Sequence, residues 1–187
     1  MRILAISGSL RAGSHNTDLL QAAAAVAPDG VDVLLYNGLK EIPPYDADDD
    51  VPGAQPIAVQ RFRKALDSAD GILIATPEYN SSIPGVLKNA LDWASRPLVE
   101  SPVRNKPAAV LSSSTGMFGG VWAAAETRKV LGALGARTLE DTVAVAKADQ
   151  RLENGVDAAL LAELRAVVDA LAAAVEARET ATAAALA

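Results

Sequence analysis

Short, unbroken apolar runs alternate along this chain with longer segments whose apolar residues recur at helical spacing. Arg2 to Ser7 (RILAIS) runs straight into Gly8, the pattern of a strand buried on both faces. Asn16 to Val26 is built of strong helix formers and is stopped by Pro28 and Gly30, so it predicts a helix. Val31 to Tyr36 reads as a second strand. Ile57 to Ser68 sets Val59, Phe62 and Leu66 on one stripe, as an amphipathic helix requires. Gly71 to Thr76 returns to strand. Pro84 suits the first position of a helix running to about Trp93, with Ser81 or Ser82 as its cap and Leu87, Ala90 and Leu91 facing inward. Pro107 to Ser112 predicts a fourth strand, Gly119 to Leu134 a helix closed by Gly135, and Thr142 to Ala146 a fifth strand. From Asp157, the residues Leu160, Leu164, Val167, Val168, Leu171 and Val175 mark a last helix, whose Ala-rich tail over residues 179–187 is expected to fray.

Strands each followed by a helix pair in parallel through right-handed crossovers, which places helices on both faces of one sheet. The chain is therefore expected to form a single doubly wound α/β domain over residues 1–187. In such sheets, ligands bind beyond the carboxyl ends of the strands, where the strand order reverses. The loops after strands one, three and four are the ones to read for chemistry.

Composition narrows that chemistry. The 187 residues include no Cys and one His, with 17 Lys plus Arg against 23 Asp plus Glu for a net charge of −6. Disulfides, thiolate nucleophiles and Cys-ligated metals are excluded, so redox work requires a borrowed organic cofactor. The acidic balance opposes binding to nucleic acid or anionic membrane. Neither a signal segment nor a stretch of roughly 20 apolar residues is found, which gives the expectation of a cytoplasmic protein. The acid-rich tract Asp46, Asp48, Asp49, Asp50 lacks regular spacing; it reads as a solvated loop and is assigned no metal.

The first loop, Gly8-Ser9-Leu10-Arg11-Ala12-Gly13-Ser14-His15-Asn16-Thr17, leads from a strand into a helix N-terminus, where free N–H groups and the positive dipole end favour an anion. Ser9, Ser14, Asn16 and Thr17 add neutral donors, and Arg11 offers a fork for phosphate oxygens. The blander alternative is that Ser14 or Asn16 caps the helix while Arg11 is solvated. The dinucleotide fingerprint needs glycine where Leu10 stands, and the nucleotide-triphosphate loop needs lysine where Ser14 stands. His15 has no orienting carboxylate in the sequence and is assigned no role. The third loop, from Thr76 to Gly85, offers an aromatic ring, an amide and N–H groups between two prolines, suited to a flat heteroaromatic ligand. The fourth, Ser112 to Gly120, is rich in serine and glycine and allows close backbone approach. Trp93 and Trp122 read as core or interface aromatics.

Taken together, Gly8-Ser9-Leu10-Arg11-x-x-Ser14-x-Asn16, the run Pro77-Glu78-Tyr79-Asn80-Ser81-Ser82-Ile83-Pro84-Gly85-x-Leu87-Lys88-Asn89-Ala90-Leu91-Asp92-Trp93, and Ser113 to Gly120 resemble the NAD(P)H-dependent FMN reductases and their quinone and azo-dye reductase relatives. The resemblance implies a flavodoxin-like three-layer sandwich with a five-stranded parallel sheet of order 2-1-3-4-5. It implies non-covalent FMN, NAD(P)H as co-substrate, a small-molecule acceptor, and a homodimer or homotetramer. By position, Ser9, Arg11, Ser14 and Asn16, with Thr17 beside them, would hold the phosphate. Pro77, Glu78, Tyr79, Asn80 and Ser81 would line the isoalloxazine, with Ser113 and Gly116 at its other side. No protein acid, base or nucleophile is then required, since the cofactor carries the hydride step. The helix after Gly119 is expected to aim its positive end at the ring. The alternative is a non-enzymatic electron carrier of the flavodoxin type, although its Thr-rich first loop is missing here.

Overall fold

The computed structural model describes residues 1–186. Its central parallel sheet is formed by β1 (Arg2–Ser7), β2 (Asp32–Tyr36), β3 (Gly71–Thr76), β4 (Pro107–Ser113), β5 (Arg137–Thr138) and β6 (Ala144–Val145). The order β2-β1-β3-β4-β5 is that of a flavodoxin-like fold. The fifth lane differs from the single strand expected at 142–146. Two-residue β5 pairs with the start of β4, and two-residue β6 pairs with its end at Ser112 and Ser113. The chain leaves the sheet between them, over the exposed Glu140 and Asp141.

Alternate strand residues feed the two faces, as the pleat demands. Leu4, Ile6, Ile72, Ile74, Ala108 and Val110 pack under α2 (Ile57–Asp67), α3 (Gly85–Ala94) and α4 (Val121–Ala133). Ile3, Ala5, Leu73, Ala75, Ala109 and Leu111 pack under α1 (His15–Ala25) and α6 (Ala158–Leu186). A four-residue helix, α5 (Ala148–Arg151), links β6 to α6. The Asp157 carboxylate caps α6 through the Leu160 N–H at 2.8 Å. Hydrogen bonding from Arg151, with the Leu160 N–H bond second, holds the Asp157 pKa down to about 2. Helix α6 continues through the Ala-rich tail to Leu186; residue 187 of that tail lies outside the described residues. Among the described residues, no helix is long and apolar enough to cross a membrane.

Pro84 is the cap residue of α3 rather than its first residue, with extended backbone at φ −58° and ψ 139°. Ser81 and Ser82 precede it in a turn and do not cap the helix. Trp93 is fully buried in the core, whereas Trp122 is 49% exposed. The motif around α3 also fastens the long loop that precedes α2. Asn89 Nδ2 and Trp93 Nε1 both donate to the Pro43 carbonyl at 2.8 Å, and the Tyr45 N–H donates to Asn89 Oδ1 at 2.7 Å. The acid tract is anchored at one end only. Arg63 grips Asp50 with two bonds of 2.7 Å while also donating to the Trp93 carbonyl. Hydrogen bonding from Arg63 lowers the Asp50 pKa below its ordinary value of 3.8.

Candidate active site

The first, third and fourth loops meet because Gly8 ends β1 without a side chain. A Cβ there would lie 3.1 Å from Leu87 and 3.3 Å from Pro77, closer than ordinary packing tolerates. The Gly8 N–H bonds to the Ala75 carbonyl at 2.8 Å, so the first loop begins against the Pro77 turn. Gly119 does the same for the fourth loop. At φ +64°, its Cβ position is 2.9 Å from the backbone at Ala144, Val145 and Ala146, a place for glycine alone.

These loops enclose a cavity of about 170 Å³ lined by Ser9, Arg11, Ser14, His15, Asn16, Pro77, Glu78, Tyr79, Ser113, Ser114 and Thr115. Eight residues expected at the site meet there: Ser9, Arg11, Ser14, Asn16, Pro77, Glu78, Tyr79 and Ser113. Thr17 does not line it. Its hydroxyl donates to Ser7 Oγ at 2.9 Å, in a second hollow on the β2 side of the same loop. Asn80, Ser81 and Gly116 also lie outside the cavity lining. Ser114, Thr115 and His15 join it, and only their adjacency to expected residues in the sequence could have identified them.

Ser14 occupies the cap position of α1 but makes no side-chain cap bond. The residue is only 2% exposed, yet it lines the cavity, and its hydroxyl is not bonded to the N–H groups of its own helix. Asn16 is buried and committed elsewhere. Its Nδ2 donates to the Ser113 carbonyl at 3.2 Å, and its Oδ1 accepts from the Ser113 N–H at 3.0 Å. Asn16 therefore clamps the start of α1 to the end of β4, and what it offers an anion is its backbone N–H in the first helical turn. Among the described residues no carboxylate pairs with Arg11, whose backbone N–H bonds to Ser9 Oγ at 3.3 Å. His15 Nδ1 is buried without a hydrogen bond, 3.8 Å from the Asp18 carboxylate.

The third loop is a two-residue hairpin. The backbones of Tyr79 and Ser82 exchange hydrogen bonds of 3.0 and 3.1 Å. Asn80 and Ser81 between them both take left-handed φ, 53° and 61°, the requirement of a type I′ turn. Tyr79 stands 50% exposed beside it. The Ser82 hydroxyl donates to Glu126 at 2.6 Å, tying the hairpin to α4. Glu78 departs from the expected arrangement. Its Oε2 accepts from the N–H groups of Trp122 and Ala123, each at 3.1 Å, so the positive end of α4 meets a carboxylate before it meets any ligand.

The donor set fits a bound anion joined to a flat group. The cup supplies Arg11, two serine hydroxyls and the N–H groups of α1. On the far wall, Ser113 Oγ is buried and has no partner. A buried hydroxyl left unbonded costs about 1–3 kcal/mol, a penalty that a polar ligand edge would remove. The cavity is below the roughly 300–1,000 Å³ of an enclosing small-molecule pocket. Its volume has room for a phosphate-sized group but does not enclose a ring system. Beside the lip of the cavity, Met117, Phe118 and Trp122 are exposed, the last two rings in edge contact at 4.9 Å.

Comparison with known proteins gives a consistent picture. The family described as NADPH-dependent FMN reductase matches residues 1–150. An NAD(P)H-dependent FMN reductase of Pseudomonas aeruginosa is 48% identical over 131 residues, covering 70% of this chain and 69% of its own. A quinone reductase of Escherichia coli strain K12 is 37% identical over the same length and shares of both chains. Among solved structures, FerB, a flavoenzyme NAD(P)H:(acceptor) oxidoreductase from Paracoccus denitrificans, superposes with a TM-score of 0.82 at 30% identity, covering 95% of this chain and 98% of that one.

Proposed function

From the membership of this chain in the NADPH-dependent FMN reductase family, we propose that it is an oxidoreductase that holds FMN non-covalently and passes reducing equivalents from NAD(P)H to a small acceptor such as a quinone, a flavin or an azo compound. The observation that carries this reading is one cavity combining an Arg11 free of carboxylate partners with a buried, unbonded Ser113 hydroxyl on the opposite wall. Ser9, Arg11, Ser14 and the first N–H groups of α1 would hold the phosphate. Pro77, Glu78, Tyr79 and the 113–115 segment would border the ring. When bound, FMN supplies hydride acceptance and onward transfer.

The protein contributes position and electrostatics. The close approach at Gly8, the hairpin at Asn80-Ser81 and the Asn16 clamp hold the walls of the cavity relative to each other. The open lip leaves room for a nicotinamide to stack and later for an acceptor to take the same place, giving ping-pong kinetics. We also infer a homodimer or homotetramer, supported by the exposed Met117, Phe118 and Trp122 beside the lip.

The test is steady-state kinetics on protein purified with FMN, using NADH and NADPH against a benzoquinone. The expected results are a yellow protein, oxidation of the nicotinamide with either coenzyme at a measurable rate, and parallel double-reciprocal lines. Protein that retains no FMN, or yellow protein that leaves NAD(P)H intact with quinone present, would refute the proposal. Intersecting lines would remove the ping-pong element alone.

A further inference from the structure

Glu78 is a half-buried cavity residue with one carboxylate oxygen committed to the helix behind the site. Helix α4 starts after Gly120, which sits at φ +83° and has no side chain to cap the free N–H groups that follow. A side chain there would be strained at that φ, and its Cβ would lie only 3.2 Å from Ser112 Cβ. The capping function has moved to Glu78, 42 residues upstream of the cap position. Glu78 Oε2 takes the N–H groups of Trp122 and Ala123, the second and third residues of the helix. Beneath it, the fully buried Ser112 hydroxyl has no partner. The same glutamate lines the cavity between Pro77 and Tyr79.

A helix N-terminus carries about half a positive charge, and a carboxylate on it reverses the sign of that end. We propose that Glu78 is a positioning and potential-setting residue: its carboxylate fixes the third loop against α4 and keeps net negative charge at the wall of the site. That charge disfavours the more electron-rich state of a bound cofactor and so holds its reduction potential down. This inference rests on FMN occupying the cavity.

The test compares wild type, E78Q, E78D and E78A for affinity toward oxidised FMN, two-electron midpoint potential of the bound FMN, and Tm. The E78Q variant keeps an oxygen acceptor for the two N–H groups and removes the charge. It is expected to fold, to bind oxidised FMN within about threefold of wild type, and to favour the reduced over the oxidised cofactor by about tenfold, which for a two-electron couple is a rise of about 30 mV. The E78D variant keeps the charge and is expected to keep the wild-type potential. E78A loses the cap as well and should show the lowest Tm. An E78Q potential equal to wild type, with FMN bound, would overturn the role of Glu78 and leave the cofactor assignment standing. An E78D potential raised as far as that of E78Q would overturn it too, by showing that shape rather than charge matters. Failure of the wild type to bind FMN would overturn the site assignment and this inference together.

Discussion

Replacing Asn16 with alanine removes both bonds that join the start of α1 to the end of β4. Asn16 is 3% exposed and Ser113 2% exposed, so water cannot readily replace the lost partners. Two hydrogen bonds at about 1 kcal/mol each are lost, and the Ser113 N–H and C=O are left short of partners in a buried position. A total cost of about 2–4 kcal/mol follows. For a chain of this size, each kcal/mol moves Tm by roughly 2–4 °C, so the flavin-free Asn16→Ala protein should melt about 4–16 °C below wild type. Circular dichroism melts of both flavin-stripped proteins measure this directly. The same variant should also bind FMN more weakly, because the two walls of the cavity lose their cross-link. A Tm within about 1 °C of wild type would refute the clamp and return Asn16 to the role of a simple phosphate ligand.

Four further outcomes follow. Arg11→Ala should weaken FMN binding by about 1.5–3 kcal/mol through loss of charge-assisted bonds, read as a rise in Kd by fluorescence titration; an unchanged Kd removes Arg11 from the site. The Asp50–Arg63 pair should make stability pH-dependent: because the folded pKa of Asp50 lies below its ordinary 3.8, its contribution is complete above that value and is lost as pH falls through the folded pKa. Denaturant unfolding of wild type and Asp50→Asn should therefore differ by a constant amount above about pH 5 and converge in stronger acid; a constant difference at every pH would contradict the pairing. Trp93→Phe keeps one aromatic ring but loses the rest of the buried indole and leaves Asn89 as the sole side-chain donor to the Pro43 carbonyl, with an expected stability loss of about 1–3 kcal/mol in chemical denaturation from the lost donor and packing together. Phe118→Ser with Trp122→Ser should shift the protein toward monomer in light scattering; an unchanged oligomer would take these rings out of the subunit contact.

Much of the architecture was readable because β1, β3 and β4 are apolar on both faces, and that pattern belongs to central parallel strands. That Ser9, Arg11 and Ser14 share one cavity is legible for a similarly local reason: they lie within a few residues of a strand end and a helix start. What escaped the sequence involves contacts between distant segments. Asn16 looks like a free donor until Ser113, 97 residues away, takes both ends of its amide. Glu78 looks like a ring-lining residue until α4 is placed behind it. The fifth lane is legible in its second half only: Ala144–Val145 lies within the apolar run 142–146, whereas Arg137–Thr138 has no apolar run to mark it, and the sheet position, rather than local propensity, makes it a strand. Asn89 and Trp93 belong to the family-like motif, yet their polar atoms hold the 43–45 loop, a purpose that only tertiary structure discloses.

The central claim is that the β1–α1 loop seats the phosphate of FMN. A crystal structure grown with excess FMN tests it most directly: the account predicts phosphate density against Ser9, Arg11, Ser14 and the first N–H groups of α1, with a ring edge within hydrogen-bond distance of Ser113 Oγ. A cavity holding no FMN, or FMN whose phosphate lies on any other surface, would contradict it.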